Sequence, residues 1–386
     1  VEKELTVLPT PRILVPVIAL TLYAISSGYL MSIIPLMLAQ YGISEATASW
    51  LASAFYAGLL IGAVFAEGVV SLLGHRRAFI VCLLTFVATV MCLPLLPSQL
   101  AWLLARFVAG LAVAGVFVTV ESWLMAGDEA NRAKRLSFYM IALYGGSAFG
   151  QFGIAIFGVE GLLPFIVIAS LLSVAVLVLT FVKSEQPSTE EDASLTLKQM
   201  SKLNHAAIIG CIISGLTLGA IYGLMPVELS SRNIAHDNIA VLMALVILGG
   251  MAVQPLVTVM SKKFKRIILM LMFSLLGVFS IGLTLLTQDV FILAVALVGL
   301  GMATFALYPI AISLGCQQLD EKYMVSVAQV MLFAYGVGSV AGPALAGYFI
   351  NQPHGLFAYL FIMLLATSIY MLIASIENKS QIQAAK

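Results

Sequence analysis

Three charged side chains stand in stretches that are otherwise apolar. Arg106 and Glu121 bracket the run "LARFVAGLAVAGVFVTVESWLM", and Glu67 interrupts "GAVFAEGVVSLLG". An arginine at the centre of a membrane helix costs about 2.5–3.5 kcal/mol on insertion scales. Such a charge either faces an interior cavity and does chemistry there, or it reaches out to water and neighbouring carbonyls. On the first alternative Arg106 is a counter-ion for a solute or a partner in proton coupling. Glu67 has no basic residue nearby in its own helix; a desolvated carboxylate of this kind exchanges a proton near neutral pH. A structural hydrogen bond to another span is the alternative for Glu67. Fifteen helical residues separate Arg106 from Glu121, about 22 Å along the axis and about 60° around it, so the two cannot pair. Glu121 lies near "NRAKR" and the preceding arginine-bearing connection. Glu121, Arg76, Arg77, Arg132 and Arg135 are therefore expected to form an ion-paired inner gate, direct proton or solute binding by Glu121 being the other reading. Glu228 is expected in solvent near the outer surface.

These residues need spans to hold them. The chain has 386 residues, 61% hydrophobic and 10% charged, where a soluble domain carries roughly a quarter charged residues. That composition predicts an all-α integral membrane protein whose solvent is the lipid bilayer. About 20 apolar residues cross the hydrocarbon core, and breaking the chain at its polar clusters gives twelve such segments, from Ile13–Leu38 to Leu356–Ile376. The first of these reads as a span rather than a removable leader. A polar connection, residues 183–204, separates a six-helix half at 1–182 from a second at 205–386. All but two of the 19 lysines and arginines fall on one side of this arrangement, the exceptions being Arg232 and the intramembrane Arg106. Positive charge stays on the cytoplasmic side, which predicts cytoplasmic N- and C-termini in a bacterial inner membrane. The net charge of +1 gives no hint of a nucleic-acid partner.

The halves repeat each other. Pro35 and Pro226, and Ile43 and Ile234, are 191 positions apart, while Gly146 and Gly338, and Gly150 and Gly342, are 192 apart. Two parallel six-span repeats describe a transporter whose solute site lies at the midplane between them.

With these features the sequence resembles the major facilitator superfamily over its whole length. More narrowly it is similar to the YcaD-like bacterial branch, through "VESWLM", "GCIISGLTLGAIYGLMP", "ALYPIAI" and "YGVGSVAGP". The signature between spans two and three reads "EGVVSLLGHRRA": Gly74, Arg76 and Arg77 match, Glu67 stands at the leading glycine position, and Ser71 replaces the aspartate. Arg106 and Gly110 match the Arg-x-x-x-Gly element of span four. In span five, Gln151 stands where exporters carry proline, and the cleaner copy of that element is Gly342-Pro343 in span eleven. The resemblance implies the major facilitator fold of twelve helices in two pseudo-symmetric halves. It also implies a central cavity lined by spans one, four, seven and ten together with two, five, eight and eleven. Arg106, Tyr144, Gln151, Tyr222, Tyr308, Gln329 and Tyr335 are then wall candidates, although buried amides and hydroxyls also serve as contacts between helices.

Enzyme chemistry has no footing here. There is no phosphate-binding loop, no metal spacing of His and Cys, and His75, His205, His236 and His354 all lie near span ends. No cofactor and no metal are expected, so transport energy must come from a gradient. The expectation is a monomeric secondary transporter that uses protons as coupling ion and exports a small organic solute. Uptake of a small organic anion held by Arg106, and a facilitator or sensor on the same fold, are the alternatives.

Overall fold

A computed structural model describes residues 11–125, 132–181, 204–286, 289–317, 324–350, 352 and 354–384. Among these residues there is no strand, and twelve helices are long and apolar enough to cross a membrane. They are α1 (Pro11–Met37), α2 (Thr47–Leu73), α3 (His75–Leu95) and α4 (Gln99–Met125). Next comes α5, assembled from Arg132–Met140, a π-helical turn Ile141–Gly145, Gly146–Gln151 and Gly153–Phe157. Then follow α6 (Leu163–Phe181), α7 (His205–Ser231), α8 (His236–Met260), α9 (Arg266–Leu286), α10 (Val290–Gly315), α11 (Met324–Gly347) and α12 (Gly355–Ala384). Of the expected connection at 183–204, residues 183–203 lie outside the described residues; Asn204 caps α7, its Oδ1 accepting the Ala206 N–H at 2.9 Å. That bond satisfies one of the donors a helix start leaves over.

Large apolar side chains stay exposed around the bundle, Leu72 at 85%, Phe181 at 77% and Phe291 at 76% among them. In water such a surface would be an association site; in a bilayer it is the lipid-facing belt, and helices are one of two ways to satisfy the backbone there.

The 191- and 192-residue repeats become pairs of matching contacts. A Cβ built on Gly150 of α5 would meet the Ile25 carbonyl of α1, and one on Gly342 of α11 would meet the Leu216 carbonyl of α7. Gly28 stands against the Ser147 carbonyl as Gly219 stands against the Ser339 carbonyl. Between α2 and α4, Gly58 meets Phe107 and Gly110 meets Phe55; between α8 and α10, Gly249 meets Val298 and Gly301 meets Val246. Every residue of the second set is the first set's partner moved by the repeat. The fold is two pseudo-symmetric six-helix halves, each pinned where glycines let backbones touch.

The faces of the bundle can be told apart by the chain. The terminal face carries the start of α1 and the end of α12; the distal face carries the α1–α2 and α7–α8 turns. The halves meet along α2–α11 and α5–α8, with α7 also touching α1 and α2. The side-chain contacts of these seams lie towards the distal face: Ser53 Oγ donates to the Val340 carbonyl at 2.8 Å, Gly347 abuts Ser49, and Gly336 abuts Leu60. Ala148 of α5 packs with Ala244 and Ile247 of α8.

Glu228, expected in solvent, is 8% exposed at the distal end of α7. One oxygen takes the Arg232 Nε–H at 3.0 Å and the other the Leu356 backbone N–H at 2.8 Å. Arg232 also donates to the Thr284 carbonyl at 2.9 Å and lies 4.4 Å from the Phe357 ring centre. A carboxylate can be buried when each oxygen has a donor, and this one ties α7 to α9 and α12.

Candidate functional site

Tyrosines from six helices converge between the halves. Tyr23 of α1, Tyr56 of α2, Tyr139 and Tyr144 of α5, Tyr222 of α7, Tyr308 of α10 and Tyr335 of α11 form one chain of electrostatic neighbours, each within reach of at least one other. Phe305 stands edge-on to both Tyr144 and Tyr222, with ring centres 5.6 and 6.1 Å away, and Tyr308 lies 4.9 Å from Tyr335. Such rings offer an apolar body and a polar rim, which suits an amphipathic solute.

The π turn of α5 helps build this group. In a regular α-helix five residues rotate by about 140°, which would set Tyr139 and Tyr144 on different faces. The wider turn at Ile141–Gly145 reduces that rotation, and both tyrosines act on Glu121. Single π turns recur at functional sites because they re-aim side chains in this way.

One face of α4 supplies the charges. Arg106 is 5% exposed, with its guanidinium carbon 4.3 Å from the Phe55 ring centre and its Nε without a hydrogen-bond partner. The polar groups acting on it are the Tyr56 and Tyr23 hydroxyls. Leu30, Thr89, Val90 and Leu93 line the small space beside it. Phe117, further along the same face, meets Tyr23 edge-on at 5.9 Å. Glu121 is exposed at the terminal end of this face and accepts a hydrogen bond from Tyr139 at 2.7 Å.

The Major Facilitator Superfamily family model matches residues 17–343. The chain belongs to the major facilitator superfamily. The uncharacterized MFS-type transporter YcaD of Escherichia fergusonii is 31% identical over 364 residues, 93% of this chain and 94% of the relative. The solved nucleoside transporter NupG aligns with a TM-score of 0.74 at 13% identity, covering 96% of this chain and 99% of that one. The human organic anion transporter MFSD10 gives 0.66 at 14% identity, covering 94% and 100%. Both structures share the fold of this chain. As a superfamily member the protein moves a solute across a membrane and is not an enzyme.

Several superfamily positions behave differently from the reading of the sequence. Gln151, expected in the cavity wall, is 1% exposed. Its Oε1 takes the Ser32 hydroxyl at 2.6 Å and its Nε2 donates to the Gly28 carbonyl at 2.9 Å, so the amide is a bond between α5 and α1. Gln151→Leu should lower stability by about 1–3 kcal/mol by stranding the Ser32 hydroxyl and the Gly28 carbonyl. A lower melting temperature of the detergent-solubilised protein, partly restored by adding Ser32→Ala, checks this.

Among the described residues, Glu121 shows no ion pair with the arginines expected to form the inner gate. Glu121 bonds Tyr139, while Arg76 donates to the Leu179 and Thr180 carbonyls. Those are orphan acceptors at the end of α6, where a cation is favoured by the helix dipole. Arg77 is exposed, Arg135 is buried and engaged, and the Arg132 side chain lies outside the described residues. Glu67, expected to be desolvated, is exposed on the terminal half of α2, and Gln329 is exposed on the terminal half of α11. Twelve residues of α2 separate Glu67 from Phe55, the ring beneath Arg106, which is about 18 Å of helix. Glu67 and Arg106 are therefore not neighbours.

Tyr144, Tyr222, Tyr308 and Tyr335, expected as wall residues, stand in the cluster. Tyr56, Tyr139, Phe55 and Phe305 were missed. Tyr56 carried a usable signal, since it sits well inside a span, away from the interfacial belts where tyrosine is common. Tyr139 follows a basic loop and reads as one of those belt residues.

Proposed function

We propose that the chain is a monomeric, proton-coupled secondary transporter that exports a small organic solute across a bacterial inner membrane by alternating access. Residues 1–182 and 205–386 are the moving halves, 183–204 joins them, and the terminal face is cytoplasmic. The observation that carries this reading is the distal position of the seam contacts beside a cluster of tyrosines drawn from both halves. Such an arrangement is one end of a rocking motion about a central site.

Glu67 is the coupling acid in this scheme. From Ser49 to Leu60, α2 advances by the same number of residues as α11 does from Gly347 back to Gly336. Continuing the register by seven residues on each helix sets Glu67 opposite Gln329, on the faces that diverge here, with Val64 and Phe333 exposed beside them. A carboxylate open to one side now and covered by α11 after rocking takes its proton from one side alone. Arg106 serves coupling as a fixed charge that orients the Tyr23 and Tyr56 hydroxyls. The second reading, uptake of an organic anion held by Arg106, draws on the guanidinium's missing partner; its burial to 5% exposure weighs against that.

Proteoliposomes under an imposed pH gradient test the scheme. Glu67→Gln should lose gradient-driven accumulation and keep solute exchange at equal concentrations. Full accumulation by Glu67→Gln removes the residue from coupling. Flux indifferent to any gradient makes the protein a facilitator.

A further inference from the structure

We propose that the central cavity binds an amphipathic organic cation, with the Glu121 carboxylate as its counter-charge and the tyrosine rings as its walls. The inference rests on the protein being a solute carrier and specifies what that carrier's site accepts.

The two charges on the cavity face of α4 are not equally available. Arg106 is capped by Phe55, 5% exposed and about 22 Å of helix away from Glu121. Glu121 is exposed at the terminal mouth, and the groups that act on it or on which it acts are Tyr139, Tyr144 and Tyr308. Among the described residues no cationic side chain compensates it. Along this face of α4, a solute entering from the terminal face therefore reaches Glu121 before Arg106.

The walls favour the same sign. The faces of aromatic rings carry negative potential, so tyrosines lining a site attract cations and disfavour anions. Tyr144 and Tyr308 lie within electrostatic reach of the carboxylate, and Phe117 stands about one turn deeper on the same face of α4. An ammonium, phosphonium or similar head at Glu121 would lay its apolar body against these rings. The Tyr139 hydroxyl holds one carboxylate oxygen and leaves the other to the cationic head.

The experiment compares tetraphenylphosphonium with tetraphenylborate, which match in shape and oppose in charge. Binding to the purified full chain in nanodiscs is measured by equilibrium dialysis against protein-free nanodiscs. Saturable tetraphenylphosphonium binding is expected, weakened at least about tenfold by Glu121→Gln and kept within about threefold by Glu121→Asp. The wild-type comparison of the two ions stands even if Glu121→Gln proves unstable. Saturable binding of the borate and not the phosphonium, or equal affinity in wild type and Glu121→Gln, overturns the proposal. Because binding needs no gradient, a failure of coupled transport leaves this result separate.

Discussion

Arg106→Met should give a protein with a higher melting temperature and at least about tenfold less gradient-driven accumulation. The guanidinium is buried with an unbonded Nε, and tyrosine hydroxyls rather than a carboxylate are its polar neighbours. A charge in that position carries a burial penalty of about 2.5–3.5 kcal/mol on insertion scales. Replacing an uncompensated buried charge with an apolar side chain of similar length returns part of that penalty. Methionine also fills the space between Phe55, Leu30 and Val90 without a cavity. The gain in stability and the loss of function should appear together, because the penalty is retained for what the charge does to Tyr23 and Tyr56. Thermal melting followed by transport in proteoliposomes checks both halves. A destabilised Arg106→Met would mean that the guanidinium is a structural bond, and unchanged accumulation would remove it from coupling.

Gly110→Leu should destroy the fold. A Cβ at this position would lie 2.0 Å from the Phe55 carbonyl oxygen and 2.7 Å from the Leu59 nitrogen. Backbone atoms in the middle of a helix cannot rotate away as a side chain tip can, so α2 and α4 must separate along their whole contact. The cost should exceed about 4 kcal/mol, the range reached by overpacking in a core with no room to adjust. Gly301→Leu should fail equally, because it faces the Val246 carbonyl at 2.1 Å in the second half. Gly282→Leu in α9 has nothing within 4 Å of its Cβ and serves as the neutral control. Recovery of monodisperse protein by size-exclusion chromatography after membrane extraction distinguishes the three. Normal recovery of Gly110→Leu would show that the α2–α4 contact is looser than described.

The same glycines show how far residues alone reach. A repeat of 191 or 192 positions was legible as matched prolines and glycines, and each matched glycine proved to be a backbone contact in both halves. Gln151 shows the other side. Its place in a glycine-rich span marked it as important, yet nothing in the run said whether its amide looked into the cavity or across to Ser32.

Glu67 and Glu121 stand in surroundings other than those expected for a similar reason. Loop arginines close in sequence to Glu121 suggested ion pairs, but Arg76 spends its donors on the end of α6 and Glu121 turns to Tyr139. Membrane class, twelve crossings, duplication and superfamily follow from composition, segment length and motifs, because lipid demands continuous apolar helices whatever they pack against. Which face of each helix turns inward was decided by the tertiary structure. In a bilayer the outside is as apolar as the core, so the periodic signal that orients a helix in water is largely lost. The convergence of tyrosines from six helices between the halves, three of them within reach of Glu121, became visible once the halves were packed.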